Sequence, residues 1–475
     1  MNDFRFEDIE SLSVELPEDI LKRKWHGDLA GADRLIGLWL KKEIPIEFRR
    51  KLALEREIIK RLPSEYPYSY EEAFAKLRDI VPDMTEEEFR ALQDQGRIDW
   101  IYVDGEERFF GRFTETLMKV NSDIRERAKS FGGGIGADIP VTEKKYESVT
   151  MREKQALHDI IGQIREQGEA ECRFRVRASL HINDGSFQMG VVKVHIPIPA
   201  DCRQQDDIQI LAASSENYDL ADAKSPQRAV CFQEEMKENH AFWVEYAYIN
   251  RVDYVEMKPE EVQPIDPAAF MEDLKEQLPH IRFTPYMRSL AEQLTSEQSN
   301  PLEKARCIYD YITTRVEYSF VRSYLTIENL TEYAAVGGKG DCGIQALMFI
   351  TLCRIAGIPA RWQSGLYITP FSAGCHDWAL VYIAPYGWRY VDCSFGGSAY
   401  REGDEGRRQF YFGNLDPFRM VANSVFQREF DVKKSFLRAD PYDNQRGEAE
   451  YEDRGLGFGD FCWKAEILQC HVKKP

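Results

Sequence analysis

The chain has 475 residues, 43% of them hydrophobic and 12% aromatic, which is too long for one core and too apolar for a disordered chain, so roughly three domains are expected. Its formal charge is -18, from 80 acidic against 62 basic residues. With no dense Lys/Arg run, neither nucleic acid nor an anionic membrane is expected as a partner.

Met1 to Glu10 is acidic and lacks the basic start and apolar core of a secretory signal. The longest mainly apolar run, Ala346 to Cys353, is too short to span a bilayer. The ten cysteines follow no framework spacing, so a cytoplasmic protein with mostly buried thiols is the expectation.

Residues 1–130 read as a mainly helical domain with one β-hairpin. Ser69 to Glu72 and Thr85 to Glu88 both match the capping box, and each precedes apolar residues at helical spacing. Ile98 to Val103 and Glu106 to Phe110 flank Asp104-Gly105, a two-residue hairpin signal. A helix followed by a hairpin resembles a winged-helix unit, but the segment is not basic, which favours a packing module over a DNA reader.

Glycines 132–134 and 136 mark a flexible join, so 131–167 is assigned as linker and connecting helix, the helix running from about Met151 to Gln167. From Glu171 the period becomes two: Cys172, Phe174, Val176, Ala178, Leu180 and Ile182 face one way and Arg173, Arg175 and Arg177 the other. Short strands recur at 187–196, 208–212, 241–249 and 252–257, and residues 168–262 are expected to form a β-sandwich. The arginine row reads as a solvated outer face, with an acidic ligand as the alternative. After a Pro-rich linker come helices at Pro285 to Ser296 and Pro301 to Arg315, then a short strand at Val316 to Phe320.

The chemistry gathers between Gly337 and Ser394. Ala346, Phe349, Ile350 and Cys353 recur at helical spacing, and Gly357 with Pro359 ends that helix. Cys342 thus stands at a helix head, where unpaired N–H groups and the dipole favour a thiolate. Strands follow at 360–368, 376–383 and 388–393. Alternation puts His376, Trp378 and Leu380 on one face and Trp388, Tyr390 and Asp392 on one face of the hairpin partner. If both faces look at the helix head, His376 can take the thiol proton and Asp392 can orient the imidazole. The same parity would turn Cys375 and Cys393 away. A zinc site at Cys375-His376 and Asp392-Cys393 is disfavoured, because adjacent strand residues diverge and no C-x-x-C pair is present; no metal and no cofactor are expected.

Gly340-Asp-Cys342, Arg354-Ile-Ala-Gly-Ile-Pro-Ala-Arg361, His376-Asp-Trp378 and Gly387-Trp388-Arg-Tyr-Val-Asp392 together resemble the transglutaminase-like superfamily of papain-like cysteine enzymes, in its bacterial form. The resemblance covers about Thr284 to Met420. It implies an α+β fold with a papain-like core, a helix packed on an antiparallel sheet, preceded by the β-sandwich and the helical N-terminal domain. It also implies Cys342 as nucleophile, His376 as base and Asp392 as orienter, with Tyr318 and Trp378 as oxyanion or cleft residues. The implied activity is acyl transfer from, or hydrolysis of, a protein or peptide amide. Cys393 stands where members often have Pro, and no calcium loop is evident. On this division 268–420 is the catalytic domain and 421–475 its C-terminal extension. The competing reading is an inactive fold of the same family used as a protein-binding scaffold.

Overall fold

The computed structural model describes residues 6–131 and 143–473; the glycine-rich join, from residue 132 to 142, lies outside the described residues. The N-terminal helices are α1 (Glu18–Trp25), α2 (Leu29–Trp39), α3 (Ile46–Glu65), α4 (Tyr70–Ile80) and α5 (Glu86–Asp94), followed by the hairpin β1 (Trp100–Val103) and β2 (Glu106–Phe109), then α6 (Phe113–Val120) and α7 (Ser122–Ser130). Both capping boxes form, at Ser69 with Glu72 and at Thr85 with Glu88. The hairpin turns at Asp104 and Gly105 with φ of 52° and 85°, the left-handed pair that a two-residue turn requires.

The region is not closed on itself. Phe89, Phe109, Phe113 and Leu117 form a core within residues 68–130, but Leu54, Ile58, Leu62, Tyr66 and Phe110 pack into the core of the segment that carries Cys342. One face of α3 therefore belongs to the segment that carries Cys342.

Helix α8 (Glu143–Gln167) leads into β3 (Glu169–Ile182), β4 (Gly190–Pro197), β5 (Gln205–Ala213), β6 (Tyr218–Leu220), β7 (Ala229–Met236) and β8 (Ala241–Asp253). The strands expected at 241–249 and 252–257 are one strand, and β6 and β7 escaped the sequence reading. Buried residues of β3, β4, β7 and β8 fill one core between two sheets. On the outer face Arg175 and Arg177 both pair with Glu245 of β8, so the arginine row is internally neutralised rather than poised for a ligand.

Next come α9 (Met271–Leu274), α10 (Pro285–Thr295), α11 (Pro301–Arg315), β9 (Glu317–Tyr318), α12 (Leu330–Gly337), β10 (Lys339–Gly340) and α13 (Cys342–Ile355). The sheet strands are β11 (Ala360–Ile368), β12 (Ala373–Ile383) and β13 (Gly387–Val391), then α14 (Cys393–Arg401), α15 (Glu405–Phe410), β14 (Phe412–Gly413) and β15 (Arg419–Asn423). The sheet runs β14-β13-β12-β11-β15, antiparallel throughout. Asp392 and Asp404 cap the starts of α14 and α15.

One correction concerns the C-terminus. Residues 421–475 do not extend the catalytic sheet beyond β15; β16 (Glu448–Tyr451) pairs with β4 and β17 (Phe461–Val472) pairs with β3. The chain thus returns to the sandwich and adds an outer strand to each of its sheets, leaving the segment that carries Cys342 as an insertion between its strands.

Candidate active site

Helix α13 starts at Cys342 because Asp341 caps it: the carboxylate accepts the Ile344 N–H at 3.0 Å and the Tyr324 hydroxyl at 2.6 Å. Residue 343 has to be glycine. A Cβ there would stand 2.3 Å from the Tyr324 oxygen and 3.0 Å from Asp377 Oδ2. The tight approach brings the half-buried Cys342 thiol to Asp377, to which Sγ donates a hydrogen bond at 3.2 Å. Asp377 also accepts from Gln445 Nε2 at 2.7 Å, and the Asp443 carboxyl is a near neighbour.

Burial and the adjoining carboxylates govern this corner electrostatically. Burial, then Asp377 and Asp341, push the Cys342 thiol well above its ordinary range. Burial and then Asp341 raise Asp377 to about 7, while burial takes Asp341 to about 6 against the pull of the Tyr324 hydrogen bond. The helix head contributes at most about 2 kcal/mol toward a thiolate, and burial beside two carboxylates outweighs it. Cys342 therefore rests as a thiol that donates, not as the thiolate expected from its helix position.

His376 and Asp392 come together as expected, with Nε2 and Oδ2 at 2.7 Å. Asp392 accepts the Phe395 N–H at 2.9 Å, capping α14, and lies 3.1 Å from Arg419 Nη2. Phe395 at 4.7 Å, Trp378 at 6.0 Å and Tyr367 at 6.4 Å enclose the imidazole ring. Burial depresses the His376 pKa against the opposing pull of Asp392, whose own carboxyl is held low by His376 and Arg419 despite its burial.

The structure does not bring Cys342 to this pair. Ala379, Val381 and Ile383 of β12 lie in the core around α13, whereas Trp378 and Leu380 lie in the core shared with the sandwich. From Asp377 on, the odd positions of β12 face the helix, and His376 is even. Alternation thus points the Asp377 carboxyl and the His376 imidazole to opposite faces, and among the described residues no hydrogen bond joins Cys342 to His376.

Trp378, expected in the cleft, is fully buried and donates its indole N–H to Gln363 Oε1 at 2.9 Å. Tyr318 lies on the Cys342 side: it pairs with Gly340, and its hydroxyl, kept protonated mainly by burial, is charge-coupled to the thiol. Cys375 neighbours Arg446. Cys393 is buried at the first turn of α14, in the α13 core together with Cys353. Both cysteines were expected to turn away from the helix side; Cys375 packs against the core shared with the sandwich, whereas Cys393 does not turn away. Among the described residues no group of His, Cys, Asp and Glu is arranged to hold a metal ion, and no helix is long and apolar enough to cross a membrane.

Asp377 and Tyr324 escaped the sequence reading. The usable signal for Asp377 was the run of small and branched residues at 379, 381 and 383, which marks the face a helix packs on.

Residues 288–393 match the family model described as the transglutaminase-like superfamily. No curated protein matches the chain. Among solved structures, a candidate cysteine protease from Cytophaga hutchinsonii is 15% identical, covering 64% of this chain and 90% of its own with a TM-score of 0.37. The periplasmic domain of TgpA from Pseudomonas aeruginosa is 15% identical, covering 52% and 95%, with a TM-score of 0.29. Scores this low carry no argument about activity. The family match falls on the segment that holds α13, the β11–β13 strands and Cys342, His376 and Asp392, so the chain carries a transglutaminase-like superfamily core within an α+β fold.

Proposed function

We propose that this protein is a cysteine-dependent enzyme that takes the acyl group of a protein or peptide amide as a thioester on Cys342. The observation that supports this reading is the 3.2 Å hydrogen bond from the Cys342 thiol to Asp377, whose carboxyl is raised to about 7. A carboxylate with that proton affinity is matched to general acid–base work near neutral pH. As Sγ bonds to the carbonyl carbon, the thiol proton passes to Asp377. The oxyanion meets the Cys342 backbone N–H at the head of α13, with the protonated Tyr318 hydroxyl as a second candidate donor. Collapse breaks the C–N bond, and Asp377 returns the proton to the leaving amine. An amine or water then takes the acyl group, giving transglutamination in the first case and peptide hydrolysis or deamidation in the second.

In this arrangement His376 is held by Asp392 and its aromatic surround on the other face of β12. The proton route implied by the family resemblance, through His376, requires the imidazole to reach the thiol's side. The two routes separate in an assay that incubates the protein with casein and a tagged amine while following ammonia and new N-termini. Cys342→Ala is expected to abolish all three signals and Asp377→Asn to abolish turnover. Full turnover in Asp377→Asn, with loss in His376→Ala of unchanged near-UV circular dichroism, would assign the base to His376 instead.

One observation favours the scaffold reading: a thiol pushed up by burial and two carboxylates is a poor nucleophile. Labelling Cys342 with iodoacetamide across pH decides it. A thiol that stays unreactive up to pH 9 in the folded protein removes the enzymatic reading.

A further inference from the structure

The N-terminal region reaches the Cys342 corner through one lobe. Residues 68–130 have their own apolar core, and α6 of that lobe lies against β9 and the chain that follows it. The seam is polar and cation–aromatic. Thr116 Oγ1 accepts the Phe320 N–H at 3.2 Å, Lys339 Nζ donates to the Gly96 carbonyl at 3.1 Å, and Arg97 pairs with Glu317. The Arg112 guanidinium sits 3.5 Å over the Phe320 ring; Lys119 Nζ sits 4.1 Å over Tyr318 and 4.8 Å over Phe320. Tyr318 is the residue paired with Gly340, two positions before Cys342.

The charges at this seam do not balance. Glu115, four residues before Lys119 on α6, is already bound by both Nε and Nη2 of Arg112. Among the described residues Lys119 has no carboxylate within ion-pair distance, and neither does Arg401 at the end of α14. Burial, then Arg112 and Arg401, make the Lys119 charge harder to hold, while Cys342, once ionised, and Glu115 favour it. Gathering uncompensated cations costs free energy, and the ring faces of Tyr318 and Phe320 offset only part of it. In a chain of net charge -18, an ammonium on an exposed residue, without a carboxylate in ion-pair distance and set over Tyr318 on the Cys342 side, is a place for an external anion.

We propose that Lys119, delivered by the N-terminal lobe, is the anion-binding residue of the Cys342 site and selects acyl donors that carry a carboxylate close to the reacting carbonyl, an acidic peptide segment. The proposal rests on the thioester reading for its substrate, but its test does not require turnover. The full chain is alkylated in parallel with iodoacetate, which is anionic, and iodoacetamide, which is neutral. The ratio of the two adducts at Cys342 is read by mass spectrometry against the same ratio at the exposed Cys462. Lys119→Met is expected to lower the normalised ratio about fivefold at low salt, the order of magnitude that one unit charge inside a Debye length gives. Lys119→Arg is expected to keep it, and 0.5 M sodium chloride to erase most of it through screening. An equal ratio in wild type and Lys119→Met overturns the proposal, and so does a Cys342 closed to both reagents, since such a cleft admits no substrate. A charge-dependent ratio in a protein with no amide turnover would refute the thioester reading alone, whereas turnover without the ratio would refute this one alone.

Discussion

Asp392→Ala is expected to loosen the sheet and helix that meet at this residue, whatever it does to activity. Its carboxylate is fully buried, and three donors converge on it: His376 Nε2 at 2.7 Å, the Phe395 N–H at 2.9 Å and Arg419 Nη2 at 3.1 Å. Arg419 is equally buried, and its Nε and Nη1 make no hydrogen bond within the described protein, so it depends on Asp392 and on Asp416 at 2.8 Å. Breaking a buried pair costs about 3–5 kcal/mol. Because Asp416 stays, the low end applies, and the lost helix cap adds about 1 kcal/mol. The total of about 4 kcal/mol corresponds to roughly three decades in an equilibrium constant. Hydrogen exchange followed by mass spectrometry on peptides spanning 387–401 reads this directly, as a fall in protection of about a thousandfold. Asp392→Asn, which keeps an acceptor for the Phe395 N–H, is expected to recover about one of those decades. A fall of less than tenfold in Asp392→Ala would refute the reasoning, since the carboxylate would then not be the hub of a buried network.

Asp377→Asn removes a carboxylate that pushes the thiol up, so Cys342 is expected to alkylate several-fold faster at pH 7.5 while amide turnover falls by about a hundredfold or more; a rise in both would exclude Asp377 as the proton carrier. Asp341, Asp377 and Asp440 are raised to about 6, 7 and 8, against about 3.9 for an unfolded Asp. The native chain therefore holds more protons than the unfolded one up to about pH 8, and stability falls as pH rises through that window. Between about pH 7.5 and 8.5, where His195, His280 and His376 with their lowered pKa values are neutral in the fold and about nine-tenths neutral when unfolded, Tm is expected to drop, and Asp377→Asn to flatten the slope; a Tm that climbs over this range would contradict the carboxyl shifts. Cys172 of β3 and Cys470 of β17 hold their sulfurs 3.7 Å apart. Diamide is expected to join them in one intramolecular disulfide, seen as a loss of two mass units in the peptide pair, and failure to form it would mean that β17 is not seated on β3.

Much of the fold was legible because local chemistry dictated it. Both capping boxes, the Asp104-Gly105 turn, the period-two run from Cys172 to Ile182 and the helix head at Cys342 are each set by a few neighbouring residues. The spacing from His376 to Asp392 likewise carried their contact, since a tight hairpin between β12 and β13 fixes which residues stand opposite. What was not legible depends on partners distant in sequence. The return of β16 and β17 to β4 and β3 joins residues more than 250 positions apart, and no local pattern distinguishes an added strand of the sandwich from one of the neighbouring sheet. The same holds for α3, whose two apolar faces serve different cores.

The face of β12 was the decisive ambiguity. Alternation separates odd from even residues, but it names the helix side only when one face is polar. Here both faces are buried: Ala379, Val381 and Ile383 under α13, Trp378 and Leu380 against the sandwich. A close-packed helix selects the face of small and branched side chains, because rows such as His376, Trp378 and Leu380 would hold it too far from the strand. That choice carries Asp377 to the Cys342 thiol and leaves His376 with Asp392 and Arg419. The strand thus holds two acid–base systems, one on each face, with a reactive group on one side and a buried ionic network on the other. Burial, Asp377 and Asp341 raise the proton affinity of the Cys342 thiol, while burial lowers that of His376 against Asp392, with Arg419 lowering it further. Substitutions on the Arg419 side should therefore register first as lost protection in the sheet, and substitutions on the Asp377 side first as altered thiol chemistry. The order in which those two readouts respond separates the thiol's acid–base system from the buried ionic network of His376.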